Sequence, residues 1–355
     1  MVTPRDRFRG VVLGTAVGDS LGLPAEGLSR RRLRKWCGGE WRHRFVFGRG
    51  MISDDTEHAI FVAQSLLACP DSREDFSRRF AWCLRWWLAS CPPGVGWATL
   101  RAIVRLWFGF SPKRSGVRSA GNGPAMRSAI IGAFFAFSPE RMDDFLEAST
   151  RITHSDPRAL IGASAVAKIA AWTVRDQLSG RPPLGECLAA IRSSGSEDKE
   201  WLAVVEAIRS ACVRGLSVER FADLLGLSQG VTGYAYHTVP VAVYSWYHHF
   251  GDFEATVSSI LSCGGDTDTT GAIAGALAGA VVGDQGIPEP WKWGILDWPR
   301  GTKFFVELAD RLAESSVEQK PAPHVSYFWP GVVLRNFFFL VIVLLHGLRR
   351  LAPPY

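Results

Sequence analysis

A chain of 355 residues with 47% hydrophobic and 21% charged residues can form one large domain or two smaller ones, and its composition is that of an ordinary globular protein. The net charge of +6 suits an anionic ligand but does not single out nucleic acid. Because the seven cysteines form no Cys-x-x-Cys pair and the N-terminus lacks the apolar core of a signal peptide, we expect no disulfide framework or zinc cluster and a cytoplasmic location.

The first predicted element is a helix over residues 6–22 with a glycine at every fourth position. A second stripe of this kind lies near the far end of the chain. The glycines of the two stripes are Gly10, Gly14, Gly18 and Gly22, and Gly271, Gly275, Gly279 and Gly283. Side chains four residues apart share a helix face, and each glycine costs a helix about 1 kcal/mol relative to alanine. We therefore predict that the two helices cross with their glycine faces touching; a pair of membrane helices is disfavoured, since neither run reaches about 20 apolar residues.

An arginine-rich segment follows the first helix. Pro24 and Gly27 end the helix, which leaves Glu26 in a turn just beyond it. Residues 28–50 hold clustered arginines, and we predict a solvated loop there, with a phosphate- or protein-binding patch as the alternative.

Two adjacent aspartates begin the next helix. Ser53 precedes Asp54 and Asp55, and apolar residues at helical spacing follow them. Ser53 or Asp54 is the predicted N-cap, and Glu57 stands three residues after Asp54, as in a capping box. Capping explains one of the aspartates but not the pair.

The middle of the chain predicts further helices. Residues 74–109 carry many aromatic side chains, which we interpret as core. Gly121, Asn122 and Gly123, followed by Pro124, predict a tight turn into a helix N-terminus. Backbone N–H groups at such a place can hold an anion, although a purely structural turn has the same sequence.

Two polar residues in this half of the chain are not explained by helix ends alone. His154 precedes Asp156, which is a good N-cap for the following helix, but capping gives the histidine no role. Tyr236 lies in residues 230–240, which we interpret as a turn bearing glycine and tyrosine.

A second acidic stretch opens the glycine-striped helix near the end. Asp266, Asp268 and Thr269 place three hard oxygen donors within four residues. If the glycine stripes meet, these donors approach Asp54 and Asp55, and four carboxylates converge. Like charges that close do not all ionise unaided, and divalent cations resolve the conflict. Oxygen donors without Cys or His favour Mg²⁺ or Mn²⁺ over zinc, and their number suggests a two-metal site.

The periodicity predicts an all-α fold. Helical spacing recurs almost everywhere, and no persistent alternation of period two occurs. We expect one many-helix domain over residues 1–315, without repeats, followed by a proline-containing linker and hydrophobic tail over residues 316–355.

Five motifs, in this order, resemble those of the ADP-ribosylglycohydrolase family, typified by the dinitrogenase-reductase-activating glycohydrolase. They are GTAVGDSLGLPAE (14–26), SDDT (53–56), GNGPAMR (121–127), THSD (153–156) and GGDTDTTG (264–271). Each motif is weak alone, whereas five in the family's order are specific. The resemblance implies an all-α fold with a binuclear Mg²⁺ or Mn²⁺ centre in a cleft. It also implies hydrolysis of the N- or O-glycosidic bond between ADP-ribose and an acceptor, on a protein or on nucleic acid.

The resemblance also implies roles for individual positions. The implied metal ligands are Ser53, Asp54, Asp55, Asp266, Asp268 and Thr269. The implied substrate contacts are Gly121, Asn122, Gly123, His154 and Tyr236, the last by stacking. Glu26 resembles the glutamate that faces the substrate ribose, and Glu26 and Asp55 are the expected catalytic residues.

One position departs from the family's arginine-directed members. Those members carry an aspartate in a turn where this chain has Gly94. We therefore expect a route that relies on Glu26 and the metals. The alternatives are a catalytically silent ADP-ribose-binding member of the fold and a hydrolase of a free ADP-ribose derivative.

The hydrophobic tail allows two interpretations. The uninterrupted apolar run, Phe337–Leu345, is too short to span a bilayer, so we predict a packed helix or a self-association surface. The alternative is membrane contact through residues 329–350, as a surface anchor bordered by Trp329, Arg349 and Arg350.

Overall fold

Helices make up the regular structure of residues 2–351, the part of the chain that this computed structural model describes. In chain order the α-helices are α1 (Pro4–Gly22), α2 (Arg30–Cys37), α3 (Asp54–Ala68), α4 (Arg73–Ala89), α5 (Trp97–Trp107), α6 (Pro112–Ser115), α7 (Ser128–Phe134), α8 (Pro139–Thr153), α9 (Pro157–Arg175), α10 (Leu184–Arg192), α11 (Lys199–Val213), α12 (Val218–Leu224), α13 (Ala235–His248), α14 (Phe253–Leu261), α15 (Thr267–Val282), α16 (Glu289–Lys292), α17 (Thr302–Glu318) and α18 (Trp329–Arg349). Between positions 2 and 351, β-type pairing is limited to isolated bridges. The all-α prediction is confirmed.

The two glycine-striped helices, α1 and α15, cross in direct backbone contact. A Cβ atom added to Gly14 would lie 2.1 Å from the carbonyl oxygen of Gly275, and one added to Gly18 would lie 1.9 Å from that of Gly271. Successive glycines along α1 contact glycines of decreasing residue number on α15, so the two helices run antiparallel. The predicted contact between the glycine faces is confirmed.

This contact brings three helix ends together. The hydroxyl of Thr267, the first residue of α15, donates to the carbonyl of Gly22, the last residue of α1, at 2.8 Å. Asp19, one turn earlier on α1, accepts hydrogen bonds from the start of α3. The end of α1 thus lies beside the first turns of α3 and α15, where both acidic segments are located.

Two local predictions are wrong. The arginine-rich segment is partly helical, and Arg30 is buried because it forms an ion pair of 2.6 Å with Asp223. The turn expected over residues 230–240 ends early, since α13 begins at Ala235 and contains Pro240. Long-range pairing and burial override local sequence preference in both places.

The tail forms a helix longer than its uninterrupted apolar run. α18 has 21 residues, and its most apolar window has a mean hydropathy of 2.0. By length and composition the whole helix could cross a bilayer, although the uninterrupted run Phe337–Leu345 within it is too short to do so. The tail is therefore a packed helix, as in the first interpretation, and it extends beyond the apolar run because Arg335 and Asn336 lie within it and are buried against the protein.

Candidate active site

Asp19 fixes the start of α3. Its carboxylate accepts the backbone N–H groups of Ser53, at 2.9 Å, and of Thr56, at 3.1 Å, and it also accepts the Thr56 hydroxyl. Ser53 is the N-cap, and its Oγ accepts the N–H of Asp55 at 3.2 Å. The turn that carries Asp54 and Asp55 is therefore anchored to α1.

The capping box predicted for this helix is absent, because Glu57 pairs with distant residues. Its carboxylate forms a buried ion pair with Arg300 and accepts the indole N–H of Trp87 at 2.7 Å. Burial alone would raise the pKa of Glu57, but the charges of Arg300 and Arg335 outweigh burial and lower it. Glu57 is thus a structural anion behind the aspartate pair.

Thr269 joins the second acidic segment to the first. Its hydroxyl, on the first turn of α15, donates to Asp55 Oδ2 at 3.2 Å, and the Ser53 hydroxyl donates to the same oxygen at 3.1 Å. The backbone N–H of Thr269 donates to Asp268 Oδ1 at 2.9 Å. The structure therefore places Ser53, Asp55, Asp268 and Thr269 in one hydrogen-bonded group.

The carboxylates of this group repel one another. Burial, followed by the charges of Asp54 and Asp19, holds the pKa of Asp55 well above its usual range. Burial, followed by the charges of Glu26 and Asp55, does the same to the pKa of Asp268. The pKa of Asp54 is raised well above its usual range by burial and then by Asp19 and Glu26. Such mutual repulsion in a buried place favours a positive partner.

The chemistry of the donors fits a hard divalent cation. Asp55 is 2% exposed, and its Oδ1 has no hydrogen-bond partner, although a buried polar atom normally has one. The other oxygen of this carboxylate accepts hydrogen bonds from the hydroxyls of Ser53 and Thr269. Across residues 2–351, no group of three or more His, Cys, Asp or Glu side chains is arranged so that it could hold a metal ion. The fit thus rests on the unmatched oxygen and on the oxygen chemistry of the group.

Glu26 lies at the edge of this acidic group. Its side chain is exposed, in the turn that follows α1. Desolvation and then the charge of Asp266 raise the pKa of Glu26, and the charge of Arg350 opposes them. Arg350 donates to the carbonyl oxygens of Pro24, at 3.0 Å, and Glu26, at 2.8 Å. The end of α18 therefore contacts the turn that carries Glu26.

Asn122 connects the glycine turn to the second acidic segment. Its Nδ2 donates to Asp266 Oδ2 at 2.7 Å and lies 2.9 Å from Thr238 Oγ1. Its backbone N–H donates to the carbonyl of Gly233 at 2.9 Å. The turn that carries Asn122 is therefore held beside Asp266.

His154 packs under the same turn. A Cβ atom added to Gly121 would lie 3.0 Å from its Nε2, and one added to Gly123 would lie 3.1 Å from its Cε1. Burial, aided by the charge of Arg127, lowers the pKa of His154 to about 3. The ring is therefore neutral at physiological pH, and the two glycines leave room for it.

Tyr236 does not lie where stacking on a substrate requires it. The side chain is 1% exposed, its hydroxyl donates to Asp198 at 3.1 Å, and its ring lies 5.0 Å from that of Trp201. The expectation that Tyr236 stacks in the substrate pocket is wrong, because core packing uses both ring and hydroxyl. Tyr234, which is half-buried and pairs with Gly121 through the backbone, is better placed.

Asp19 is the residue beside the acidic group whose contacts sequence reasoning missed. It is the only acidic residue between Gly10 and Gly22, and it is fully buried. A lone acid inside a close-packed glycine stripe is a sequence signal, because such a carboxylate needs partners from another element.

Comparison with known proteins identifies relatives of this chain. A family model described as ADP-ribosylglycohydrolase matches residues 1–322, so α18 lies beyond it. ADP-ribosylhydrolase ARH3 of Gallus gallus is 28% identical over 332 residues, and the alignment covers 81% of this chain and 89% of the relative. ADP-ribosyl-[dinitrogen reductase] glycohydrolase of Rhodospirillum rubrum is 28% identical over 299 residues, with the same two coverages. A solved structure titled ADP-ribosylglycohydrolase-related protein complex superposes with a TM-score of 0.63 and 27% identity, covering 89% of this chain and 100% of that chain. The chain belongs to the ADP-ribosylglycohydrolase family and is a glycosidic hydrolase.

Proposed function

We propose that this protein hydrolyses the N- or O-glycosidic bond between ADP-ribose and an acceptor, with two Mg²⁺ or Mn²⁺ ions. The observation that carries the proposal is the hydrogen bond from Thr269 to Asp55, which joins two acidic segments 214 residues apart in sequence. The names of two relatives, from Gallus gallus and Rhodospirillum rubrum, specify hydrolysis of ADP-ribosyl groups, which supports the same reaction here. We place the reaction in the cytoplasm.

The acidic group would hold the ions. The proposed ligands are Ser53, Asp54, Asp55, Asp266, Asp268 and Thr269. When bound, the ions supply positive charge that polarises the ribose hydroxyls and a water molecule. The carboxylates would then remain ionised, because bound positive charge would take the place of the protons that mutual repulsion otherwise retains.

Glu26 acts on the attacking water. Its carboxylate stands beside Asp266, and its raised pKa brings its basicity closer to neutral pH than that of an ordinary glutamate. It orients the water and accepts its proton as the water oxygen bonds to the anomeric carbon. The bond from that carbon to the acceptor atom breaks, and the acceptor leaves with the bonding electron pair and takes up a proton from solvent. Asp55 and its neighbours stabilise the positive charge that develops on the ribose in an oxocarbenium-like transition state.

The glycine turn positions the substrate. Gly121, Asn122 and Gly123 are fixed beside Asp266, where they can contact the diphosphate and ribose. His154 supports the turn as a neutral ring, so it adds a hydrogen-bonding edge without adding charge. Gly94, in an exposed turn with φ of +78°, brings no carboxylate to the reaction, which leaves Glu26 as the proposed base.

The proposed substrate is an ADP-ribosylated protein, with an ADP-ribosylated nucleic acid as the second acceptor class. The test is release of free ADP-ribose from arginine-linked, serine-linked and nucleic-acid-linked substrates, each with Mg²⁺, with Mn²⁺ and with chelator. We expect cation-dependent release from at least one substrate. We also expect the Asp268→Ala variant to lose it, while Asp143→Ala, at an exposed position on α8, retains it.

The other outcomes contradict the proposal in different ways. Tight binding of ADP-ribose without release from any substrate would identify a silent binding protein. Hydrolysis confined to free ADP-ribose derivatives would exclude both a protein and a nucleic acid as the acceptor. Unchanged release by Asp268→Ala would refute the role of the acidic group.

A further inference from the structure

The outer helix α18 presents its apolar face to solvent. Its exposed large side chains include Leu334, Phe337, Phe338, Leu344, Leu345 and Leu348, each between 57 and 64% exposed. The polar residues Arg335 and Asn336 are instead buried, at 4% and 1% exposed. A helix on the surface of a soluble domain normally turns its apolar side inward. α18 does the reverse, with much of its apolar side facing solvent and two polar side chains facing the protein.

Buried polar bonds hold α18 on the domain. The Arg335 guanidinium pairs with Asp297 at 2.6 Å, and both side chains are almost fully buried. Asn336 Nδ2 donates to the carbonyl of Ser90 at 2.9 Å. Pulling the helix away would leave a buried carboxylate unpaired, so α18 stays along the surface and does not leave to span a bilayer.

Exposed tryptophans continue this surface at the beginning of the helix. Trp329 contacts Trp86, with ring centroids 5.6 Å apart, and Trp86 contacts Trp82 at 5.7 Å. Trp82 is 52% exposed. Tryptophan is enriched where hydrocarbon meets water at a membrane, because its ring is apolar and its N–H is polar.

A hydrophobic turn continues the surface at the other end. The ring of Phe45 stacks on His346 of α18 at 4.9 Å, and the His346 ring nitrogen Nε2 lies 2.7 Å from the Phe45 carbonyl oxygen. Two residues later, Phe47 is fully exposed at the tip of a turn between Arg44 and Arg49. An exposed aromatic tip between two basic residues suits insertion among anionic lipid head groups.

α18 itself contributes only basic charge to this surface. α18 contains no Asp or Glu, and it ends at Arg349 and Arg350. The neighbouring turn adds Arg42 and Arg49, both exposed. In a dimer formed through this face, α18 would supply no acidic residue to pair with these arginines, whereas an anionic membrane supplies phosphates.

We propose that the outer face of α18, with the Phe47 turn, is a docking surface for an anionic phospholipid membrane on which the helix lies flat. The apolar side chains enter the acyl boundary, and Arg42, Arg49 and Arg349 contact phosphate groups. This proposal is independent of the reaction proposed above.

Flotation of the full chain with vesicles tests the proposal. We expect binding to vesicles of phosphatidylcholine with phosphatidylglycerol, and much weaker binding to phosphatidylcholine alone. The double variant Phe47→Ser, Phe338→Ser should lose at least about tenfold in the bound-to-free ratio, because two rings no longer enter the lipid. Phe137→Ser removes a phenylalanine that is 77% exposed on the turn after α7, and it should bind like the unmodified chain.

A second variant tests the charge separately. Arg49→Glu with Arg349→Glu changes only exposed positions, so it should fold normally and lose the preference for anionic vesicles. Three results would overturn the proposal. The first is that the unmodified chain does not bind anionic vesicles. The second is that the chain forms a dimer in solution which Phe338→Ser dissociates but which the addition of vesicles leaves intact. The third is that alkaline carbonate fails to extract the bound protein, as for a helix inserted across the bilayer.

Discussion

Asp55 shows how much of the site depends on single side chains. Its Oδ2 receives hydroxyls from both acidic segments, while its buried Oδ1 has no partner. The pairing of Asp54–Asp55 with Asp266–Asp268 could be predicted from sequence, because the glycine stripes indicate which helices touch. The role of Asp19 could not, since it depends on the position of the α3 N-terminus. The burial of Tyr236 likewise depends on Trp201, which nothing local indicates.

Replacing Glu26 with glutamine tests the proposed base. The amide keeps the size of the side chain but cannot accept a proton from water, so we expect kcat to fall by about 10²–10⁴-fold with little change in KM. Because the base must be deprotonated, activity of the unmodified enzyme should rise with pH through the raised pKa of Glu26. Steady-state kinetics across pH would measure both effects.

The matched control is Glu186→Gln, an exposed position on α10, which should leave kcat unchanged. If Glu26→Gln retained full kcat and the same pH profile, Glu26 would not be the base.

At the scale of elements, the contact between α1 and α15 positions the site. Their backbones touch at the glycines, and the end of α1 then lies against the first turns of α3 and α15. Helical periodicity was sufficient to predict the all-α fold and this pair. It could not predict the burial of Arg30 on α2, because that burial depends on two long-range partners, Asp223 and the carbonyl of Glu219.

Gly14→Ala tests that contact. The new Cβ would lie 2.1 Å from the Gly275 carbonyl oxygen, so the helices must separate. We expect a loss of at least about 1–3 kcal/mol in the free energy of unfolding, measured in urea. Gly185→Ala is the control: it lies in α10 with no atom within 4 Å of the new Cβ, and it should be neutral or stabilising by up to about 1 kcal/mol. Equal effects of the two substitutions would contradict the close contact.

The attachment of α17 to α1 should depend on pH. Asp310 accepts two hydrogen bonds from Arg9, at 2.6 and 2.8 Å. Burial would raise the pKa of Asp310, but the bonds from Arg9 and Arg5 outweigh it and lower the pKa to about 2. Folding therefore favours the ionised form, and this stabilisation is present above the ordinary aspartate pKa and disappears as pH falls toward about 2.

Asp310→Asn should accordingly lose about 1–2 kcal/mol of unfolding free energy at neutral pH. The difference between the variant and the unmodified chain should shrink as pH falls below about 4. Urea unfolding of both proteins at several pH values measures this difference in unfolding free energy. A difference that grew as the pH fell would contradict the stabilising role of the ion pair.

At the scale of the whole molecule, the family domain and the tail helix meet at the site. α18 lies beyond the matched residues 1–322, yet Arg350 contacts the Glu26 turn and Arg335 binds the carbonyl of Ile52, just before Ser53. The sequence predicts a packed helix or a self-association surface in this tail. The residues that attach it could not be read from sequence, because the partners of Arg335 are distant and polar.

The most direct measurement is manganese binding to the purified full chain, followed by electron paramagnetic resonance alongside release of ADP-ribose. We predict two saturable Mn²⁺ ions per chain, with binding and release lost together in Asp54→Asn and in Asp268→Asn. Release that continued in chelator, without saturable Mn²⁺ binding, would contradict the account of the acidic group as a metal-dependent hydrolytic site.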